Sequence, residues 1–525
     1  MESSCVRQTS IPGTSKLFGD FLYHFDRIQD LFPWYFGNFE HLVDSARTID
    51  FPQNRRSAIV RALRKQNPDS PALDQLEKAG TVAVVTGQQV GLLSGPSYTI
   101  FKALTAVRVA AQLNQQGTPA VPVFWLATED HDLAEIDHAW LFDPSGTPVK
   151  ISAEGGSVAD SPVGNVEISR LDFGEISKAI GGFPFAPAVM ERIEEHYRAG
   201  TTFGRAFHNF VRDILAGFDL IYLDPLQPEI RSLCAPFLRE VVRRVPDLIA
   251  DLQQRSSELE KRGYHAQVHL DKNASLLFSL EGGKRIALKY KEGRFTSKDH
   301  SFDAAELADQ AEKLSPNALL RPVMQDYLLP TVSYVGGPAE VAYMAQSQVL
   351  YQQLLGRMPV IYPRHSFTLL DARAAKLLDR YGIHVQELLD SQDRVKAVIA
   401  NKLVPHDLRS ELAALRPGLT ASLSGVREKL LRFDPTLAAA TDKSIAKISY
   451  QVDKLAAKTA RETMRRDERA TKDAQYLSNL IYPQRHLQER FYSIVPFLAK
   501  HGFDLPQRIY QETTLSCPDH MLRTV

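Results

Sequence analysis

Glu129, Asp130, His131 and Asp132 follow one another directly after the apolar run 121–127. Carboxylates beside an imidazole can hold an ammonium group and move its proton near neutral pH, so Glu129, Asp130 and His131 are the candidate catalytic residues, with His131 as general base. Asp132 is a candidate substrate ligand, the reading preferred over a cap for a following helix. Adjacent residues on an extended chain point to opposite faces, so the four cannot all bind one ion, and no metal site is assigned. A second group lies just upstream. Gln88 and Gln89 are followed by Gly91 and Gly95, then by Tyr98 and Lys102, all candidate substrate-binding residues. A third set, Tyr334, Gly336, Gly337, Glu340 and Tyr343, repeats the glycine-turn pattern. Arg364 and Ser366 complete the candidates; Arg364 is suited to clamp a carboxylate or phosphate bidentately, the reading preferred here over a structural ion pair.

These residues need elements that bring them together. Residues 81–85 form a short β-branched run, a strand buried on both faces. The loop 87–95 has glycines that permit close backbone approach, and Ser94, Gly95 and Pro96 give a helix start. Ile100, Leu104, Val107 and Ala111 recur at helical spacing, and the helix N-terminus is a natural anion seat that Lys102 could reach. Residues 121–127 make the second strand, so the acidic cluster sits at a strand's carboxyl end, where open parallel sheets bind ligands. The run 218–224 reads as another strand, ending in Asp224, either a site residue or a turn starter before Pro225. Tyr334 closes a further strand, the turn at Gly336, Gly337 and Pro338 opens a helix, and 358–362 delivers Arg364 and Ser366.

Other segments read as covering layers and insertions. The aromatic-rich start, to about residue 67, is expected to cover the sheet. Residues 150–184 and 264–297 read as insertions, the second β-rich with a hairpin turn at Gly282 and Gly283. Residues 237–263 read as helical, with a kink or break at Pro246.

At 525 residues and 44% hydrophobic, the chain is long enough for two or three domains. Lys plus Arg and Asp plus Glu both number 62, so nothing advertises nucleic acid or an anionic membrane. No apolar run approaches a membrane span and no signal peptide is read at the start, so a cytoplasmic location is expected. Cys5, Cys234 and Cys517 are few, odd in number and far apart, which suits a reducing compartment; none stands out as catalytic.

Beyond residue 370, Ile445, Ile448, Val452, Leu455 and Thr459 run at 3-4-3-4 spacing, a coiled-coil seam. Leu408, Leu412, Leu415, Leu419, Leu423, Val426 and Leu430 form the other arm, with a kink expected at Pro417 and a break at Asp434-Pro435. A hairpin across 371–480 leaves apolar surface to cover, which predicts a homodimer, and 481–525 is expected to pack back on a core of residues 1–370.

The segments VTGQQVGLLSGPSYTIFKA, VPVFWLATEDHD, QDYLLPTVSYVGGPAEVAY and MPVIYPRHS together resemble the bacillithiol synthase family, and the likeness extends to the PQRHLQER stretch. The resemblance implies an α/β fold: a Rossmann-like parallel-sheet core with two connecting insertions, plus a long antiparallel α-helical coiled coil that mediates dimerisation. It implies a ligase that joins the carboxyl group of L-cysteine to the amino group of glucosaminyl malate. Forming that amide needs an activated carboxyl group, so ATP with magnesium is the expected cofactor; no H-x-G-H signature stands at 87–102, and an adenylate rests on fold analogy. On this reading Tyr334, Glu340, Tyr343 and Arg364 recognise sugar hydroxyls and malate carboxylates. Two alternatives are a metal-dependent hydrolase or transferase using residues 129–132, and a non-catalytic coiled-coil scaffold.

Overall fold

The computed structural model describes residues 4–156, 160–297, 300–389 and 392–525. Five strands form its central sheet: β1 (Val82–Gln89), β2 (Ala120–Ala127), β3 (Ile221–Leu223), β4 (Thr331–Gly336) and β5 (Val360–Pro363). All neighbours are parallel and the order is β3-β2-β1-β4-β5, a doubly wound arrangement that reverses direction between β1 and β4. Alternation along β2 splits the core in two. Val121, Val123 and Trp125 pack on one face, and Phe124 and Leu126 on the other. The N-terminal aromatics Phe18, Phe21, Phe32 and Phe36 are buried in the first of these layers, as the sequence suggests.

The helix α1 (Tyr98–Gln115) crosses from β1 to β2, while α2 (Pro228–Lys261) follows β3 and α3 (Pro338–Leu354) follows β4. Two expectations about helix limits change here. The helix expected over 237–263 begins nine residues earlier and runs through both Pro236 and Pro246 without a break. Its buried face, including Leu238, Val241, Val242, Val245 and Leu248, continues across Pro246, so tertiary packing overrides the local proline preference. Likewise α1 starts at Tyr98, with Ser97 in the capping position and no side-chain cap.

Two antiparallel sheets flank the core. Strands His138–Phe142, Pro148–Gly155 and Ile168–Leu171 make one, which starts before residue 150. The other has five strands, from Ala274–Glu281 through Leu314–Pro316, and so extends past 297; Gly282 and Gly283 form its expected turn with positive φ.

The hairpin proper is α4 (His406–Phe433) against α5 (Pro435–Arg466), turning at Asp434, which caps α5. Ion pairs Arg416–Asp453 and Arg427–Asp442 share one antiparallel register. The helix α4 continues across Pro417 rather than ending there. The rest of the span 371–480 is not hairpin. Helices Ala372–Tyr381 and Glu468–Ile481 bury Leu377, Leu378, Leu477 and Ile481 in the second core layer. The chain then returns to the core: strand His520–Thr524 lies between Ser4–Val6 and Ser366–Leu370.

Candidate functional site

A cavity of about 530 Å³ opens at the carboxyl ends of β1, β2 and β4, where the strand order reverses. Its wall includes Gly87, Gln88 and Gln89 from β1, Trp125 from β2, Glu129 and Asp130 beyond it, and Tyr334, Gly337, Glu340 and Tyr343 from β4 and α3. Phe278, Arg285 and Pro316 of the five-stranded insertion close one side; Tyr98, Arg364 and Arg490 form another. The three candidate groups far apart in sequence thus share one chamber.

Beneath the chamber lies a charged layer. Lys102 is 1% exposed and gives its ammonium to Glu340 at 2.7 Å, the Gly87 carbonyl at 2.5 Å and the Gln88 amide oxygen at 3.2 Å. Lys102 therefore supports Glu340 from below and does not reach out to an anion, contrary to the sequence expectation. Glu340 also accepts from the Gly337 amide at 2.8 Å and the Tyr334 hydroxyl at 2.5 Å. Burial works against its charge, but Lys102, the Gly337 amide and Tyr334 together hold its carboxyl below the usual range. Gly87 is required where it sits, since a Cβ there would lie 2.9 Å from the Trp125 carbonyl oxygen.

The expected anion seat at the start of α1 is closed. The Ser97 amide donates to the Tyr492 carbonyl at 2.7 Å, and the Gly95 amide to Leu92 at 2.9 Å. Gly91 and Gly95 are buried and do not line the cavity; a Cβ on Gly91 would meet the Gly95 Cα at 2.9 Å. Their role is close packing rather than ligand contact. Gly336 is likewise a packing glycine, tight against Glu340 and the Tyr334 ring.

The acidic cluster also divides. Glu129 pairs with Arg231 at 2.7 Å. Asp130 accepts from Gln89 at 2.7 Å and from the His131 amide at 2.7 Å; burial opposes its charge, yet these bonds and Arg285 keep it below the ordinary carboxylate range. His131 is not among the lining residues. Its Nδ1 lies 3.0 Å from Arg285 Nη1, and a guanidinium only donates, so Nδ1 accepts and the ring proton is assigned to Nε2. In that tautomer Nε2 is a donor, so the general-base role expected of His131 does not follow. Asp132 caps the short helix Leu133–Ile136 and also stays outside the cavity. Among the described residues no group of three or more His, Cys, Asp and Glu side chains is arranged for a metal ion. Asp224 accepts from Thr128 and the Leu226 amide, the turn-starter reading.

Arg364 resolves toward the structural ion pair. Its Nη2 lies 2.7 Å from Glu489, with side chains 5% and 0% exposed, although the guanidinium still lines the chamber beside the Tyr98 ring. Ser366 donates to the same carboxylate at 2.7 Å and contacts His520 Nδ1 at 2.6 Å, so it belongs to this buried network and does not line the cavity.

Two arginines remain that sequence reasoning missed. Arg321 donates to the hydroxyls of Tyr334 at 3.1 Å and Tyr343 at 3.5 Å and to Gln325 at 3.0 Å, all neutral acceptors. Arg490 lies 5.8 Å from the Tyr98 ring centroid. Both line the cavity, and neither has a carboxylate partner among the described residues. Arg490 ends the PQRHLQER stretch, the one signal in the sequence that pointed to it.

Comparison with known proteins covers both halves of the chain. Residues 1–365 match the family described as "Bacillithiol biosynthesis BshC, N-terminal Rossmann-like domain", and residues 367–524 its "C-terminal coiled-coil domain". A relative from Solibacter usitatus (strain Ellin6076) is 50% identical over 525 residues, covering 100% of both chains. Relatives from Koribacter versatilis (strain Ellin345) and Salinibacter ruber (strain DSM 13855 / M31) are 33% and 30% identical, covering 99% and 93% of this chain and 99% and 92% of theirs. All three carry the name "Putative cysteine ligase BshC".

Proposed function

The chain belongs to the BshC family of bacillithiol biosynthesis, and on that premise we propose that it is a ligase adding L-cysteine to glucosaminyl malate through an amide bond. The observation that carries this reading is the charge of the chamber. Glu129, Asp130, Glu340 and Glu489 meet Arg231, Arg285, Lys102 and Arg364, which leaves Arg321 and Arg490 over. The Arg321 guanidinium, half-buried and bonded only to neutral oxygens, favours an anionic ligand, since the protein has not neutralised it, and the exposed Arg490 adds a second positive charge at the rim. A substrate with carboxylate groups, such as malate, supplies that charge.

The remaining wall suits the rest of such a substrate. Tyr343 and Gln88 offer hydroxyl and amide groups to a sugar, and the Trp125 indole N–H has no hydrogen-bond partner among the described residues. In this reading the ionised Asp130 holds the sugar ammonium, which gives up one proton to solvent and then, as the free amine, attacks the activated carboxyl carbon of cysteine and expels the activating group. Hydroxide is a poor leaving group, so that carboxyl must first be activated; Mg-ATP is the proposed source. The residues expected to seat its phosphates at the start of α1 do not fit that role, because the Ser97 amide is already bonded. A cytoplasmic location and a homodimer belong to the same proposal; no helix among the described residues is long and apolar enough to cross a membrane.

The test is one reaction with purified protein, L-cysteine, glucosaminyl malate and Mg-ATP, followed by mass spectrometry with a control lacking ATP. ATP-dependent bacillithiol with AMP is expected for an adenylate, and with ADP for an acyl phosphate. A folded protein that yields no product under either condition contradicts the reading.

A further inference from the structure

Cys5 and Cys517 are 512 positions apart, and sequence alone gives no reason to join them. The fold does. Strand Ser4–Val6 pairs antiparallel with His520–Thr524, placing Cys5 opposite Met521, and the turn before that strand brings Cys517 Sγ to 3.8 Å from Cys5 Sγ. Both are free thiols, Cys5 exposed and Cys517 half-buried. Cys234 is buried within α2 and serves as an internal control.

Closing the remaining gap to a disulfide length of about 2 Å takes a shift of under about 2 Å at the edge of a small sheet near both chain ends. The same sheet holds Ser366 and His520, which contact each other, and Ser366 donates to Glu489, the partner of Arg364 in the cavity wall. A bond between Cys5 and Cys517 would therefore fasten the outer strand Ser4–Val6 to the turn before the central strand of the sheet behind that wall.

We propose that Cys5 and Cys517 form a thiol–disulfide exchange site for low-molecular-weight disulfides. A thiolate of the pair, Cys5 being the more exposed, attacks one sulfur of a disulfide RSSR and releases RSH after protonation. The second thiol then attacks the protein sulfur of the mixed disulfide and expels the second RSH. Two protein S–H bonds are lost and one S–S bond forms, while RSSR takes up the two electrons and two protons. Excess free thiol runs the sequence backwards, so the pair reads the ratio of small thiol to small disulfide. Partial burial and the contact with Cys517 hold the Cys5 thiol above its usual range, so closure is expected to accelerate toward alkaline pH. The inference does not depend on the substrates proposed for the cavity.

The experiment uses the full chain, reduced, desalted and treated with 2-hydroxyethyl disulfide, then read by intact mass and by peptide mapping without reductant. The expected result is a mass lower by about 2 Da, from loss of two hydrogens, with a peptide pair joining Cys5 to Cys517 and Cys234 unmodified. Cys517→Ser should stop at a single mixed disulfide on Cys5, and Cys234→Ser should behave as the unsubstituted chain. Cys5 is exposed and Cys517 only half-buried, so the thermal midpoint of each reduced serine variant should stay close to that of the reduced parent. Two stable adducts without a cross-link, a bond that involves Cys234 or a second chain, or no reaction at all would each overturn the proposal.

Discussion

Arg490 has no carboxylate partner among the described residues and is exposed enough to be changed without disturbing the fold, which makes it the first test of the proposed anion site. Replacing it with Gln removes the charge and keeps an amide donor. A charge-assisted hydrogen bond contributes roughly 1.5–3 kcal/mol, so Arg490→Gln should raise the KM for glucosaminyl malate by about tenfold to a hundredfold. The thermal midpoint should stay within a degree or so of the parent; steady-state kinetics and calorimetry check both halves. An unchanged KM would leave Arg490 with no part in recognition. Glu489 predicts the opposite pattern. It is 0% exposed and accepts from Arg364, Ser366 and the Phe367 amide, so Glu489→Gln leaves the Arg364 guanidinium buried and unpaired. Loss of one partner of a buried pair costs about 3–5 kcal/mol, which urea denaturation should report as a large fall in midpoint.

Elements decide which of these side chains reach the cavity. Strand Ser366–Leu370 and its neighbour His520–Thr524 are held by His520, whose ring lies between Ser366 and Thr368 at 2.6 and 2.8 Å. Burial, outweighing the nearby Glu489, lowers its pKa to about 4, and burial lowers that of His365, which contacts Thr105 and Thr514, likewise to about 4. In the unfolded chain each returns to about 6.5, so between the two values the unfolded state binds more protons. The stability these rings contribute is complete above about pH 6.5 and is lost as pH falls through 4, on the order of 3 kcal/mol per ring. Denaturation midpoints should fall across that window, and His520→Gln should flatten the decline; a profile flat from pH 7 to 4 would refute the assignment. Much of this organisation was legible. The β-branched run before Gly87 and the glycine turn before Pro338 announce their strands by local chemistry, and the shared 3-4-3-4 spacing announces the hairpin. Partners distant in sequence were not legible. Nothing near Arg364 says that Glu489, 125 positions on, neutralises it, and nothing near His131 says that Arg285 occupies its Nδ1. Pro246 misled because the packing of α2 outweighs a local preference.

At the scale of the whole molecule the hairpin is unfinished. Leu412, Leu423 and Leu430 are half-buried between α4 and α5, but Leu408, Leu415, Leu419, Val426 and Phe433 stay exposed, Phe433 at 84%. Leu408 and Leu415 are one heptad apart, as are Leu419 and Val426, so they recur along one helix as a coiled-coil stripe does. Leu455 and Tyr450 add exposed apolar surface on α5, and two such helices alone give too thin a core to bury it. A second copy, packed by two-fold symmetry, would cover the same stripe on both partners and make a four-helix bundle of the two hairpins. The expected state in solution is therefore a dimer, measured by light scattering on a gel-filtration column. Val426 and Phe433 are the most exposed of these α4 side chains, so Val426→Glu with Phe433→Glu should yield monomers that keep the far-ultraviolet dichroism of the folded chain. A parent protein monomeric at micromolar concentration, or a double variant that stays dimeric, would place the interface elsewhere. No described residue of 371–480 lines the cavity at the switch point, so a folded monomer should still bind malate through Arg321 and Arg490, separating what the hairpin assembles from what the sheet recognises.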